Sequence, residues 1–243
     1  MSLPILETAT YELTLPSIDK KIKYRPFLVK EEKVLMMAME SGNQSEIKTA
    51  LKNIVQACTF GEINASLLPT FDLEYVFLQI RSKSVGEVAK IKILCPDDKE
   101  TYVPLDLDLS KVEVLVDDSH TNEVQINDKM KIVMKYPTID SVDATADAEN
   151  MKTEQLFVIV GSSIYQIENG DEVHMAKDYK KEELNEFIES LSSQDFAKIQ
   201  QFFTSMPALK HEVEVTNPKT NITSKVTLTG LADFFQSPSP TIT

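Results

Sequence analysis

A chain of 243 residues with 42% hydrophobic and 26% charged side chains has the make-up of a globular protein, long enough for one large domain or two small ones. Its net charge of -13 argues against nucleic-acid binding, which needs a surplus of Lys and Arg on at least one face. The longest apolar run, Leu156 to Val160, falls far short of the roughly 20 residues that span a bilayer, and no basic segment leads into an apolar one near Met1, so neither membrane insertion nor export is expected.

In chain order, Tyr11, Leu13 and Leu15, then Ile22 and Tyr24, alternate with polar residues about Pro16-Ser17-Ile18-Asp19, which predicts a hairpin closed by Pro26. Leu28, Val29, Leu35, Met36 and Met39 follow at helical spacing, and Ser41-Gly42-Asn43 supplies the stop. Ser45 is the expected cap of a second helix through Cys58, with Ile47, Leu51, Ile54 and Val55 on one face. After a loop from Gly61 to Pro69, Thr70 is expected to cap a helix whose apolar stripe is Leu73, Val76, Phe77 and Ile80. Val88, Ile91 and Ile93 lead into a Cys95-Pro96-Asp97-Asp98 turn, with Tyr102, Val103, Leu105 and Leu107 on the return strand. Strand patterns recur at residues 112–118 and 123–137, the second again ending in proline. Residues 141–150 read as a weak helix, and 151–168 as a strongly apolar one that breaks near Gly161 or runs on through Tyr165. Two amphipathic helices come next, burying Leu184, Phe187, Ile188 and Leu191, then Phe196, Ile199, Phe202 and Phe203. A last hairpin turns at Asn217-Pro218, and the tail after Gly230 reads as an apolar anchor, Phe234-Phe235, followed by a disordered end.

The order of elements repeats. A strand ending at Pro26, helices, an amphipathic helix over 71–82 and a hairpin at Cys95-Pro96 are echoed by a strand ending at Pro137, helices, a helix over 194–206 and a hairpin at Asn217-Pro218. Aligning the turn prolines sets Ile91 and Ile93 on Val213 and Val215, and one extra residue in the second turn brings Val103 and Leu105 onto Val226 and Leu228. The expected fold is α+β, in two topologically similar halves related by internal duplication. Helices pack on short antiparallel strands, and each half ends in a zinc-ribbon-like hairpin without metal. The expected division is 1–110, 111–235 and a disordered tail at 236–243, with the boundary near Asp108 to Val112.

Chemistry-bearing residues are sparse. Cys58 and Cys95 are too few for a disulfide framework and are expected reduced. His120, His174 and His211 lack metal-ligand spacing and are expected at the solvent surface. Ser162-Ser163 has neither a nucleophile elbow nor an evident base. The carboxylates Asp97, Asp98, Glu100, Asp106, Asp108, Asp117 and Asp118 lie close in sequence but without a calcium-loop pattern, and read as solvated turns. No catalytic residue, metal or cofactor is therefore assigned. Lys20, Lys21, Lys23, Arg25 and Lys30 form a basic strip on an otherwise acidic chain. Met36, Met37 and Met39 suit either the core or an adaptable binding surface, with Met37 lying off the main stripe.

The stretches KYRPFLVKEEK at 23–33 and LPTFDLEYVFLQIRSKSVGE at 68–87, with VTLTGLADFF at 226–235, resemble the baseplate hub proteins of T-even-type contractile-tailed bacteriophages, the group of the hub subunit and the hub-assembly catalyst. That resemblance implies a non-enzymatic tail-assembly protein that binds other hub proteins and the tape-measure protein, in the host cytoplasm and in the tail baseplate. Relatives carry Cys-x-x-Cys knuckles at both hairpins, whereas this chain keeps only Cys95-Pro96 and Asn217-Pro218. The expected contact residues are Arg25, Phe27 and Lys30 near the basic strip, Arg81 and Lys83 at a helix end, and Phe234 and Phe235 in the tail. The alternative is a general peptide-binding adaptor using its hairpin edges. No nucleic acid, membrane or small-molecule substrate is expected.

Overall fold

The computed structural model describes residues 7–141 and 153–234. In chain order these form β1 (Tyr11–Leu15), β2 (Lys20–Tyr24), α1 (Val29–Ser41), α2 (Gln44–Cys58), α3 (Thr70–Val85), β3 (Val88–Leu94), β4 (Tyr102–Asp108), β5 (Glu113–Leu115), β6 (Glu123–Gln125) and β7 (Met130–Met134). There follow α4 (Thr153–Ser163), β8 (Ile164–Asn169), β9 (Glu172–Met175), α5 (Lys181–Glu189), α6 (Ser193–Ser205), β10 (Ala208–Thr216), β11 (Thr223–Thr229) and α7 (Gly230–Phe234). The class is α+β, with small antiparallel sheets. The weak helix expected at 141–150 lies almost wholly outside the described residues, as does the tail at 236–243.

Contacts divide the chain into two compact units. The first joins residues 1–65 and 71–115 to 208–243, and the second takes 66–70 and 116–207. The sequence reading placed the last hairpin with the C-terminal half. Backbone pairing groups it instead with the first unit, because β10 pairs antiparallel with β5 through Ala208 to Leu115 and Lys210 to Glu113.

In the first unit β1 and β2 form the expected hairpin, turning Leu13, Leu15, Ile22 and Tyr24 inward. Its turn is tied to α3, where the fully buried Asp72 accepts the Ser17 amide at 3.2 Å and the Ser17 hydroxyl. Burial raises the Asp72 pKa, and the two Ser17 bonds partly offset that rise. The α3 stripe Leu73, Val76, Phe77 and Ile80 is buried as read from the sequence. The first cap on α2 differs: Asn43 accepts the Ser45 amide at 3.0 Å, so Ser45 lies inside the helix.

A second core in this unit lies under two hairpins. Ala89, Ile91, Ile93 and Leu107 of β3–β4 cluster with Leu209, Val215 and Leu228 of β10–β11, with Cys95 and Leu78. Both turns fold alike. Lys99 donates to Cys95 O at 3.0 Å and Asn221 to Asn217 O at 2.8 Å, and both Lys99 and Asn221 have left-handed backbones, at φ 55° and 61°. The return strands match differently from the sequence alignment. Ile91 faces Leu105 and Val213 faces Val226, so Leu105 and Leu107 correspond to Val226 and Leu228, and the extra residue lies in the first turn.

The second unit is a four-stranded sheet in the order β6-β7-β8-β9, covered by α4, α5 and α6. Ile132, Met134, Val160, Ile164, Ile188, Ile199 and Phe202 form its core. The apolar stretch 151–168 is helix only to Ser163; Ile164 starts β8, whose partner β9 across Gly170 the sequence reading missed. Thr70, the first residue of α3, belongs here at its amide end, where both its N–H (3.0 Å) and its hydroxyl (3.1 Å) donate to Pro137 O.

Candidate partner-binding surface

Helix α1 starts without a capping side chain, since its first flanking residue is Leu28. Glu31 compensates by accepting the Leu28 amide at 2.7 Å, the reciprocal half of a capping box. Its other oxygen meets the Arg25 guanidinium at 3.1 Å and the Lys30 ammonium at 3.5 Å. Arg25 also donates to Pro26 O at 2.9 Å and lies 3.6 Å from Cys58 Sγ. Burial alone pushes the Glu31 pKa up, but the hydrogen bonds from Arg25 and Leu28 outweigh it and hold the carboxyl below its ordinary value. Burial likewise pushes the Cys58 thiol up to about 11.

This ion pair sets the rotation of the helix about its axis. Glu31 and Ala38, two turns apart, are the buried positions of α1, with Leu35 half-buried beside them. At about 100° per residue, Val29 and Met36 then point outward, with Leu28 and Met39 on one flank and Met37 on the other. Val29 is 79% exposed, Met37 59%, Met39 55% and Met36 45%, so these side chains lie at the surface and not in the core. Lys30 and Lys33 border them, both exposed. Gly42 ends the helix in the left-handed region at φ 63°, its amide donating to Met39 O, as the sequence predicts.

The other expected contact residues are placed as follows. Phe27 is half-buried and its amide donates to Ser84 Oγ at 2.9 Å. Arg81 donates to Gly86 O at 3.1 Å, and Lys83 pairs with Glu87 and lies 5.5 Å over the Tyr11 ring, so both tie down the end of α3. Arg25 is committed internally, whereas the Lys30 side chain is 72% exposed. Nothing is described of the Phe234 side chain or of Phe235.

The paired hairpin turns stand where the resembled proteins carry their knuckles. A Cys-x-x-Cys knuckle at each would place ligands at 95, 98, 217 and 220, and here those residues are Cys95, Asp98, Asn217 and Thr220. All but Cys95 are already engaged in hydrogen bonds. Asn217 Nδ2 donates to both oxygens of Asp97 at 3.1 and 3.0 Å, the Thr220 hydroxyl donates to Asp97 at 2.6 Å, and Asp98 accepts two amides and the Thr101 hydroxyl. The residues present do not fit zinc; a hydrogen-bonded clasp joins the two tips. Among the described residues no three His, Cys, Asp or Glu converge as a metal site.

His120 is not the solvent-exposed residue the sequence predicts. Its ring is half-buried, packed 5.2 Å from Phe202 and 5.6 Å from Tyr136 between centroids. Ser205 donates its hydroxyl to Gln201 O at 2.8 Å, which leaves it to accept from Nδ1 at 3.0 Å, while Nε2 meets Tyr136 at 3.0 Å. The arrangement orders the ring. His174, also half-buried, bonds the Tyr179 hydroxyl at 2.7 Å.

An exposed apolar helix face suits a protein that assembles with others. The family described as T4 bacteriophage base plate protein matches residues 8–236. The chain belongs to that family. Membership implies interaction with other phage structural proteins. No curated protein and no solved structure matches it. Among the described residues of this baseplate protein, no helix is long and apolar enough to cross a membrane.

Proposed function

We propose that this baseplate protein is a non-enzymatic component of the hub, a hub subunit or a hub-assembly catalyst, that works by protein–protein binding. The observation that carries the reading is the outward apolar face of α1 on a chain whose family is a baseplate one. Binding energy at that face would hold the next hub protein, or a tape-measure segment, in an assembly-competent state and shield apolar groups until docking. It acts in the host cytoplasm during assembly and, as a subunit, in the tail baseplate. The common geometry of the two hairpin turns supports an internal duplication of that supersecondary unit.

Quantitative mass spectrometry of purified virions beside baseplate intermediates from infected cells tests the reading. A fixed number of copies in virions identifies a subunit. Presence on intermediates with loss from virions identifies a catalyst. Absence from both refutes a baseplate role.

A further inference from the structure

We propose that the outer face of α1 docks an acidic amphipathic helix supplied by a different tail protein; the origin of that helix, though not the docking itself, rests on the baseplate reading. Val29 and Met36 point outward from this helix at 79% and 45% exposure, with Met37 on one flank at 59% and Met39 on the other at 55%. A helix apolar on its flank and outside needs cover from a neighbour, and a second helix lies naturally along such a ridge. Methionine side chains suit a surface that must adapt to its partner.

Charge selects the partner. Residues 19–33 carry six cations and three anions, a local net of +3 on a chain of net -13. One of those anions, Glu31, faces inward and is neutralised by Arg25, so Lys33 is presented on the outside and Lys30 on the flank of Met37. Glu32, half-buried on the flank, and Glu40 in the last turn bound the positive stretch. The occupant therefore has an apolar stripe to lie on Val29, Met36 and Met37. Its carboxylates face Lys30 and Lys33, and it has no acid opposite Glu32 or Glu40. Pairing of opposite charges across such a face sets register and on-rate more than affinity.

The test uses the full-length protein and two fluorescent helical peptides with the same Leu stripe, one flanked by Glu and one by Lys, read by anisotropy. The Glu-flanked peptide binds, and weakens with added salt; the Lys-flanked one binds at least tenfold more weakly. Lys30→Glu/Lys33→Glu reverses that preference, and Met36→Ala/Met37→Ala weakens both peptides severalfold. All four side chains are exposed, so circular dichroism stays unchanged in both variants; the methionine variant keeps the melting temperature, and the lysine variant loses a little of it because Lys30 meets Glu31 at 3.5 Å. Equal binding of the two peptides, binding of neither, or indifference to the charge reversal overturns the proposal. So does a dimer of the protein alone in sedimentation velocity that Lys33→Glu abolishes, since the occupant would then be a second copy. Co-sedimentation of the wild-type protein with baseplate intermediates is scored separately, so failure of the hub reading is distinct from failure of the docking face.

Discussion

Replacing Arg25 with Met removes the cation that holds Glu31, and the cost follows from the geometry. The side chains of the pair are 12% and 9% exposed, and the substitution deletes the 3.1 Å bond to Glu31 and the 2.9 Å bond to Pro26 O. Breaking one member of a buried ion pair costs about 3–5 kcal/mol because the other charge is left unmatched. Lys30 at 3.5 Å and the Leu28 amide still serve Glu31, so the expected loss is about 2–3 kcal/mol. For a chain of this length that lowers the melting temperature by roughly 5–10 °C. The double variant Arg25→Met/Glu31→Leu recovers most of the loss, since no buried charge remains. The sign with pH is fixed by the direction of the shift. Glu31 titrates in the folded state below its ordinary 4.5, so the stabilisation is present above that pH and is lost as the pH falls through the folded value. The gap between wild type and Arg25→Met therefore narrows in acid. Thermal melts by circular dichroism across pH check this. A single variant within about 1 °C of wild type, or a double variant that loses the sum of both singles, refutes the reasoning.

Three further outcomes are expected. Asn217→Ala opens the clasp between the hairpins and costs about 2–3 kcal/mol, seen as faster amide exchange at Lys99 and Asn221; unchanged exchange at the first turn would show that the tips do not support each other. Asn221 holds a left-handed φ of 61°, so Asn221→Gly is close to neutral in chemical denaturation whereas Asn221→Val destabilises by about 1–2 kcal/mol. Burial raises the Glu74 pKa to about 7 from 4.5 as it accepts the Leu231 amide at the start of α7. A raised folded value means the stabilisation is fully present below pH 4.5 and lost as the pH rises through about 7, so α7 becomes more open to proteolysis at pH 8 than at pH 5, and Glu74→Gln abolishes the difference.

Local pattern determined much of this protein from sequence alone. Period-2 alternation located β1 and β2, helical spacing located the α3 stripe, and Gly42 marked the end of α1, because each depends on neighbours within a few residues. Proline at the same place in two turns foretold two turns of one shape. Tertiary contacts decided the rest. The partition of the chain turned on β10 pairing with β5, a contact between residues about a hundred positions apart that no local pattern records. The extra turn residue was assigned to the wrong hairpin because the return strands alternate with period 2, and only cross-strand register distinguishes a shift. The face of α1 was left open by the sequence for a related reason. Apolar spacing favours burying Val29, Met36 and Met39, but a buried Arg25–Glu31 pair, formed across the turn before the helix, rotates them outward. The residues that make the candidate binding surface are thus visible in the sequence as a helix stripe, and lie at the surface because an ion pair occupies the interior position.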